Sequence, residues 1–373
     1  MTRQKIHLVA AARPNFMKVA PLYHVLKRQD WCVPALIHTG QHYDVNMSDS
    51  FFADLGLPAP DHHLGVGSGS HAEQTAAVMV AYEKICQQQR PDWTVVVGDV
   101  NSTLACALVA AKLCIPLAHL EAGLRSNDRG MPEEINRIVT DRLADLLWTP
   151  SPDGDDNLIA EGVPPERIEF VGNIMIDAFE LQRPQIEALQ MTRRFDVEPG
   201  HYGIVTLHRP SNVDDRTSLT RIVDVLASVS RRLPLVFAVH PRTRARLREF
   251  GLATSLERQE RIRLSEPLRY NEFMNLVCHA RLAITDSGGI QEETTYLNIP
   301  CLTLRPNTER PITVTQGTNR LVRPETLGEM VDRALNGELK PVHRPALWDG
   351  RTAERVVQSL YRHSVRELAE TVA

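Results

Sequence analysis

The sequence lacks an excess of basic residues. Its 373 residues include 42 Lys and Arg against 46 Asp and Glu, which gives a formal net charge of -4 and an isoelectric point of about 6.4. Proteins that bind nucleic acids usually carry a strong basic excess, and this composition argues against one. We therefore expect no nucleic-acid partner, and any anion that the protein binds is expected to be small.

Long hydrophobic runs are also missing. No stretch approaches the roughly 20 apolar residues that a helix needs to cross a membrane. The N-terminal stretch MTRQKIHLVAAARPNF contains an apolar run that is too short for a signal peptide with its cleavage site. We therefore expect a cytoplasmic protein with no membrane partner.

Paired cysteines are absent as well. The six cysteines are scattered without a CxxC motif, mostly inside apolar segments; they are Cys32, Cys86, Cys106, Cys114, Cys278 and Cys301. These positions indicate small buried hydrophobic side chains. We therefore expect neither disulfides nor a structural metal.

What the sequence does contain is a repeated alternation of strand-like and helix-like segments. Short runs rich in Val and Ile, such as IHLVAA, WTVVVGD and PLAHLEA, are separated by longer segments with helical periodicity. This alternation is typical of βαβ units on a parallel sheet. In one segment, the apolar residues keep the spacing of an amphipathic helix. They are Leu219, Ile222, Val223, Leu226 and Val229.

The alternation restarts after residue 170, with YGIVTLH, PLVFAVH, LAITD and PCLTL. Single cores seldom exceed roughly 250 to 300 residues, so we expect two domains. We predict an α/β fold of two Rossmann-like, doubly wound parallel-sheet domains that face each other across a cleft. The predicted domains are 1–171 and 172–351, and residues 352–373 are expected to form a long helix that packs on either one.

The stretch ITDSGGIQEET at residues 284–294 is a candidate phosphate site. Ligands of open parallel sheets bind beyond the carboxyl ends of the strands. Here a strand leads through Ser287, Gly288 and Gly289 directly into a helix, which presents free backbone N–H groups at the positive end of the helix dipole. Glu293, one turn into the helix, would then reach ribose hydroxyls. The alternative is a tight helix cap, and the motif alone favours neither interpretation.

Acidic residues follow two strands of the predicted first domain. Asp99 comes after VVVG, Glu121 comes after LAHL, and the adjacent Glu133 and Glu134 begin a helix. Each is individually explained as a helix cap or a helix-start acid. We expect Asp99, Glu121 and one of the adjacent pair to converge on one sheet edge, where crowding of like charges and burial would raise some of their pKa values.

Basic residues also lie near the ends of predicted strands and the starts of predicted helices. Arg13 and Lys18 flank a helix start and would supply charge to a diphosphate, although a solvated basic pair is the commoner arrangement. His208 ends a strand of the predicted second domain, as His240 does, and each is a candidate for either a catalytic or a structural histidine. Arg310 lies in a loop that would close a nucleotide site or form an ordinary surface loop.

Seven stretches, spread over almost the whole chain, carry a resemblance to a known family. They are ARPNFMKVAPL, HTGQHYD, VVGDVNSTLA, HLEAGLRS, MPEEINR, TDSGGIQEE and NTERPITVTQGTNRLV. In their order and combination the chain resembles the non-hydrolysing UDP-N-acetylglucosamine 2-epimerases. The resemblance implies a glycosyltransferase-B architecture, a homodimer, and a C-terminal helix that returns to the first domain.

The resemblance also assigns roles to individual residues. The family's catalytic residues fall on Asp99, Glu121, Glu133 and His208. Its contacts with the nucleotide sugar include an aromatic residue beside the uracil, the glycine pair at the phosphates and an acid at the ribose. These contacts fall on Arg13, Lys18, Arg137, Phe273, Ser287, Gly288, Gly289, Glu293 and Arg310.

The implied activity is reversible epimerisation at C2 of UDP-N-acetylglucosamine (UDP-GlcNAc) to UDP-N-acetylmannosamine (UDP-ManNAc), through loss and re-addition of UDP. Such chemistry demands no metal and no cofactor. The alternatives are a hydrolysing 2-epimerase, a 2-epimerase of a UDP-diacetamido-uronic acid, a retaining glycosyltransferase, and a nucleotide-sugar-binding regulator without catalysis.

Overall fold

The computed structural model describes residues 3–40, 52, 54–339 and 343–372, apart from the side chains of Arg13 and of residues 366–372. The residues fall into two compact units. One comprises Met1–Leu181 together with Ala346–Ala373, and the other comprises Gln182–Pro345. Each unit is built on its own parallel sheet, which confirms the predicted fold class.

The described part of the first unit contains a seven-stranded sheet in the order β3-β2-β1-β4-β5-β6-β7, with all neighbouring strands parallel. The strands are β1 (Gln4–Ala10), β2 (Cys32–His38), β3 (His62–His63), β4 (Trp93–Val97), β5 (Leu117–Leu120), β6 (Leu146–Thr149) and β7 (Ile168–Phe170). Strand β4, WTVVV, is buried along its whole length. Parallel strands in α/β proteins have both faces covered, which explains this continuous apolar run.

Helices lie between these strands along the chain, and a final one follows β7 and runs past Leu181 into the second unit. They are α1 (Arg13–Leu26), α2 (His71–Gln88), α3 (Asn101–Lys112), α4 (Pro132–Leu143), α5 (Pro152–Ala160) and α6 (Ile174–Glu187). Helices α1, α4 and α5 each begin with a proline in the first turn. Proline suits this position because its fixed φ fits the helix and its missing N–H is one that would have no partner within the helix.

The second unit contains a six-stranded parallel sheet in the order β10-β9-β8-β11-β12-β13 among its described residues. The strands are β8 (Gly203–Thr206), β9 (Leu235–Ala238), β10 (Ile262–Ser265), β11 (Leu282–Thr285), β12 (Cys301–Thr303) and β13 (Asn319–Leu321). Strand order reverses between β1 and β4 in the first sheet and between β8 and β11 in the second. These reversals are the switch points where open α/β sheets bind ligands.

The helices of the second unit include the amphipathic helix predicted from its spacing. They are α7 (Met191–Arg194), α8 (Pro210–Val213), α9 (Arg216–Ser230), α10 (Pro241–Glu249), α11 (Ala253–Glu257), α12 (Tyr270–Cys278), α13 (Gly288–Leu297), α14 (Ile312–Thr315) and α15 (Pro324–Leu335). The five apolar residues predicted to share one face of α9 are all buried in the core of the unit. The helical prediction for this segment is confirmed.

The C-terminal segment packs within the first unit. Trp348 is buried and its Nε1 donates to the carbonyl of Pro150 at 3.0 Å. At the start of helix α16 (Thr352–Val372), two backbone N–H groups donate to the carboxylate of Asp177. The hydrogen bonds are 3.1 Å from Thr352 and 2.7 Å from Ala353. An acceptor at this place satisfies N–H groups that have no partner inside the helix.

The residue contacts divide the chain between Leu181 and Gln182, whereas the sequence pattern placed the boundary near Gly172. Gly172 has a φ of +94°, and an added Cβ there would overlap the carbonyl oxygen of Leu347. The glycine therefore allows close packing inside the first unit and does not mark a linker.

The cysteines follow the prediction in part. Four are buried, but Cys114 is exposed and Cys278 is half-buried. Cys114 lies in the turn that follows α3, outside the mostly buried apolar run LACALVAA, and has a φ of +50°. Within the described residues, no helix is both long and apolar enough to span a membrane.

Candidate active site

A buried ion pair lies at the switch point of the first sheet. Lys18 on α1 contacts Oε2 of Glu121, which follows β5, and both side chains are almost inaccessible. The other oxygen of Glu121, Oε1, is buried and has no hydrogen-bond partner among the described residues. A Cβ added at Gly98 would lie 3.4 Å from both Glu121 Oε2 and Lys18 Nζ, so the absent side chain leaves room for the pair.

The backbone of Glu121 is strained. Its φ of +73° lies in the left-handed region, which non-glycine residues seldom adopt. The N–H groups of Glu121 and Ala122 both donate to the carbonyl of Trp148, at 3.1 and 3.0 Å, and hold this conformation. Strain of this kind clusters at functional sites, where the surrounding structure imposes a side-chain direction.

Asp99 and Arg137 form a second pair at the same sheet edge. Arg137 on α4 is buried, and its Nη1 lies 2.5 Å from Oδ2 of Asp99. The Asp99 side chain keeps 35% of its surface exposed, so this carboxylate is accessible. Asn136 donates to the Asp99 carbonyl at 2.9 Å, which fixes the backbone there.

The adjacent acids at the start of α4 have different environments. Glu134 is buried and accepts hydrogen bonds from the backbone N–H groups of Ser126 and Asn127 and from Arg137. Burial raises the pKa of Glu134, but these hydrogen bonds outweigh burial and hold the pKa below its usual range. Glu133, the predicted catalytic residue, is exposed in the first turn of α4.

The expected crowding of like charges is not what the structure shows. Asp99 pairs with Arg137, Glu121 pairs with Lys18, and Glu134 also pairs with Arg137. Each of these carboxylates therefore has a cationic neighbour. The prediction that crowding and burial raise some pKa values does not extend to Glu134, because its backbone donors and Arg137 hold its pKa below the usual range.

A buried network behind this edge was missed by the sequence reasoning. His119 on β5 is inaccessible; its Nε2 lies 2.8 Å from the Gly98 carbonyl and its Nδ1 2.6 Å from Asp141. Arg125 joins Asp141 to Glu161 through hydrogen bonds of 2.7 and 2.8 Å. Burial raises the pKa of Asp141, but His119 and Arg125 hold it below its usual range. The network fixes the backbone that precedes Asp99.

The start of α1 supports the same edge. Asn15 accepts from the N–H of Ala12 at 3.1 Å and donates to the Val97 carbonyl at 3.0 Å, so it ties the helix start to the end of β4. Arg13 is the first residue of α1, but its side chain lies outside the described part of the chain, and so does most of the HTGQHYD stretch.

In the second unit, the predicted phosphate motif forms the start of α13. Ser287 is the N-cap residue, and the helix begins at Gly288. A Cβ added at Gly289 would meet nothing within 4 Å, whereas one added at Gly288 would lie 2.7 Å from Nη1 of Arg310. The two glycines therefore have different functions: Gly288 accommodates Arg310, and Gly289 faces open space.

Arg310 belongs to a buried ionic cluster. Its guanidinium pairs with Glu292 at 2.9 Å and with Glu309, and Arg305 pairs with Glu309 at 2.7 Å. Burial raises the pKa of Glu309, but both arginines hold it well below its usual range. The cluster fixes a guanidinium beside the N-terminus of α13.

The other predicted nucleotide residues lie on α12 and α13. Glu293 is buried, and its Oε1 accepts from the hydroxyl of Tyr270 at 2.7 Å. Burial, followed by the charge of Glu292, raises the pKa of Glu293 to about 8 despite that hydrogen bond. Phe273 is half-buried on α12.

His208 and Asp286 meet at the switch point of the second sheet. Nδ1 of His208 lies 2.9 Å from Oδ1 of the buried Asp286. His240 is a near neighbour, with ring centroids 5.5 Å apart, and its Nδ1 accepts from the N–H of Arg242 at 3.3 Å. The sequence analysis assigned no role to Asp286, although its position directly after the strand LAIT was the available signal.

No group of three or more His, Cys, Asp or Glu side chains within the described residues is arranged to hold a metal ion. The two Rossmann-like units have the glycosyltransferase-B-like fold of solved epimerase structures, and each has charged residues beyond the carboxyl ends of its strands.

Comparison with known proteins places the chain within that class. The family model for UDP-N-acetylglucosamine 2-epimerase matches residues 24–361. The UDP-N-acetylglucosamine 2-epimerase of Methanocaldococcus jannaschii is 42% identical over 95% of this chain and 98% of that protein. Its crystal structure in complex with UDP-GlcNAc and UDP matches with a TM-score of 0.86 at 40% identity, covering 96% of this chain and 99% of that chain.

A relative with a different substrate in its name is similarly close. The UDP-2,3-diacetamido-2,3-dideoxy-D-glucuronate 2-epimerase of Pseudomonas aeruginosa is 39% identical over 85% of this chain and 88% of that protein. The chain belongs to the UDP-N-acetylglucosamine 2-epimerase family.

Proposed function

We propose that the protein interconverts UDP-GlcNAc and UDP-ManNAc without hydrolysing them. The observation that carries the proposal is the Glu121 carboxylate, which is buried on Lys18 through one oxygen and has no partner among the described residues on the other. A relative at 40% identity binds UDP-GlcNAc and UDP in its crystal structure. A family member with a buried, oriented carboxylate is therefore expected to act on C2 of such a sugar.

The chemical difficulty is the hydrogen at C2. No carbonyl is adjacent to C2, so a carbanion formed there has no internal site for its charge. Breaking the bond between C1 and the UDP oxygen supplies one. A base takes the C2 proton, the C–H electron pair forms the C1–C2 double bond of 2-acetamidoglucal, and UDP leaves with the C1–O electron pair. Protonation of C2 on the opposite face and return of the UDP oxygen to C1 give the epimer.

The residues divide between these two tasks. We assign proton removal and return at C2 to Asp99, Glu121 and Glu133, without distinguishing base from acid. General acid–base groups typically contribute roughly 100- to 10,000-fold each. The Asp99 carboxylate is accessible beside Arg137, which suits it to a bound hexose.

The departing UDP requires stabilisation of negative charge. We assign this to the N–H groups at Ser287, Gly288 and Gly289, to Arg310 and to His208, with Arg13 as a further cation. Oriented N–H groups at a helix N-terminus favour anions, and fixed donors stabilise charge that develops during a reaction. Phe273 and Glu293 are proposed to contact the uridine. The homodimer and the cytoplasmic location stay predictions.

Incubation with UDP-GlcNAc in deuterium oxide tests the proposal, with the sugar followed by NMR. We expect deuterium at C2 in both epimers with UDP still attached. Free N-acetylmannosamine would indicate a hydrolysing enzyme instead. Unchanged, unlabelled substrate would indicate another sugar, a transferase or a binding protein, and would contradict the proposal.

A second candidate substrate is a UDP-2,3-diacetamido-uronic acid. It is supported by the 39% identity to the Pseudomonas aeruginosa enzyme that carries this substrate in its name. Both nucleotide sugars have an acetamido group at C2, so the same residues serve either reaction. Comparing kcat/KM for the two sugars decides between them, and we expect UDP-GlcNAc to be preferred.

A further inference from the structure

His208 and Asp286 are brought together by sheet register. Strands β8 and β11 are parallel neighbours, and Thr206 pairs with Thr285 at their carboxyl ends. The residues just beyond these ends therefore lie side by side. Asp286 is inaccessible to solvent, whereas the His208 side chain keeps 38% of its surface exposed.

The Asp286 carboxylate is surrounded by donors. It accepts from the backbone N–H of His208 at 3.0 Å, the backbone N–H of Arg209 at 2.9 Å and the side-chain amide of Asn212 at 3.0 Å. Nδ1 of His208 is the fourth donor, at 2.9 Å. Burial raises the pKa of Asp286, but His208, Asn212 and the backbone donors outweigh burial and hold the pKa below its usual range. The carboxylate is therefore ionised and only accepts.

An acceptor-only partner decides where the imidazole proton sits. A neutral imidazole has one N–H and one lone pair, and the hydrogen bond made by one nitrogen sets the state of the other. Because Nδ1 faces an ionised carboxylate, it carries the proton. In the neutral ring, Nε2 then holds a lone pair, and no hydrogen bond joins it to another described residue.

The neighbouring histidine has the opposite arrangement. Nδ1 of His240 accepts from the backbone N–H of Arg242, so its lone pair is used inside the protein. Burial lowers the pKa of His240, with a further contribution from His208. In the neutral rings, Nε2 of His208 therefore holds the lone pair, whereas Nε2 of His240 carries the proton.

We propose that Asp286 is a positioning residue, which holds the Nδ1–H of His208 so that Nε2 exchanges a proton with the UDP oxygen. Protonated at Nε2, the imidazolium gives that proton to the UDP oxygen as the C1–O bond breaks, and the neutral Nδ1–H ring takes it back when UDP returns to C1. The role rests on the proposed function. Asp286 touches no substrate and acts through His208. A carboxamide at this position would supply one acceptor oxygen and an NH2 group, and the NH2 group would face a donor.

A tautomer measurement tests the proposal independently of activity. The ring nitrogens of 15N-histidine-labelled protein are recorded by NMR at a pH where the rings are neutral, and His208 is assigned by the signal missing from His208→Gln. We expect Nδ1 protonated and Nε2 unprotonated in the wild type. An Nε2–H tautomer for His208 would overturn the proposal, whether or not the protein is an epimerase.

A double-mutant comparison tests the link to turnover. Asp286→Asn and His208→Gln are each expected to lower kcat roughly 100- to 10,000-fold, with UDP affinity by calorimetry changed only a few fold. The double variant should be no slower than the slower single variant, because Asp286 acts only through His208. Multiplicative losses, or an Asp286→Asn variant within threefold of wild type, would overturn the positioning role.

Asp215→Asn is the matched control. Asp215 caps α9 through the N–H of Ser218 at 2.7 Å in the same unit, and no hydrogen bond or ion pair joins it to a histidine in the part of the chain that the structure describes. It is expected to keep wild-type kcat. If Asp286→Asn does not fold, the wild-type tautomer alone decides the proposal. If the folded wild type exchanges no C2 hydrogen, the proposed function fails. The tautomer measurement still decides the role of Asp286 in that case, because it does not depend on turnover.

Discussion

At the residue scale, the site is held by ion pairs that join distant parts of the chain. Lys18 and Glu121 are 103 residues apart, and Asp99 and Arg137 are 38 apart. The sequence pattern identified Lys18, Asp99 and Glu121 as candidates, because each stands next to a strand end or a helix start. The family resemblance added Arg137. It did not predict their pairing, since the partner of a charged side chain depends on the register of neighbouring strands.

The Lys18–Glu121 pair gives a stability prediction. We expect Lys18→Met to lower the free energy of unfolding by about 3 to 5 kcal/mol, because it leaves a buried carboxylate without its cation. Urea unfolding measures the change, with Lys27→Met, an exposed residue after the same helix, as control. Adding Glu121→Gln should restore part of the loss. A Lys18→Met protein as stable as wild type would show that the pair is not buried in solution.

Glu293 gives a pH prediction. Its pKa in the folded protein is about 8, above the value of 4.5 for an ordinary glutamate, so the folded state binds the proton more tightly than the unfolded state. The stability it contributes is present below pH 4.5 and is lost as the pH rises through 8.

We therefore expect wild type to lose a few kcal/mol of unfolding free energy relative to Glu293→Gln between about pH 5 and pH 9. Urea titrations of the ligand-free proteins at both pH values measure it. A difference that does not vary with pH would show that Glu293 titrates normally.

At the scale of single elements, helix α13 connects a sequence motif with a binding site. The sequence predicted a strand that leads directly into a helix at the glycine pair, and β11 and α13 confirm it. It did not predict that the two glycines differ. That difference arises because Arg310, held by Glu292 and Glu309, packs against Gly288 alone.

The glycine pair gives a prediction that separates folding from binding. Gly289→Ala is expected to fold at least as stably as wild type, because alanine favours helix by roughly 0.5 to 1 kcal/mol. It should weaken UDP binding about tenfold or more, since its methyl group occupies the space proposed for phosphate; that ratio corresponds to about 1.4 kcal/mol.

Two further glycine variants complete this comparison. Gly288→Ala should lose stability, because its methyl group displaces the Arg310 guanidinium. Gly328→Ala, on α15, is the control, as its Cβ would meet only side-chain atoms of Val225 and Arg232 at 3.8 Å. Urea unfolding and calorimetry with UDP measure both quantities. Unchanged UDP affinity in Gly289→Ala would remove α13 from the nucleotide site.

At the scale of the whole molecule, the repeated alternation of strands and helices was enough to predict two parallel-sheet units. Each sheet has its own core, so the two can be perturbed separately. The amphipathic pattern of residues 346–373 did not predict which unit they pack against. That route depends on contacts such as Trp348 with the Pro150 carbonyl, which join positions 198 residues apart.

We expect Trp348→Ala to destabilise the first unit by about 3 to 5 kcal/mol, the range for removing a buried large aromatic side chain. Hydrogen exchange measured by mass spectrometry should show faster exchange in β6 and α16, with α9 unchanged. Phe237→Ala, in the core of the second unit, should give the reverse pattern. Equal acceleration in both units by either variant would contradict two separate cores.

The central claim is that UDP leaves C1 while the hydrogen at C2 is removed. The measurement that tests it most directly is positional isotope exchange, with 18O in the bridging oxygen between C1 and the β-phosphate. During epimerisation we expect the label to scramble into the non-bridging β-phosphate oxygens, as a freed diphosphate rotates before it returns. Deuterium exchange at C2 with every 18O still in the bridge would contradict the account.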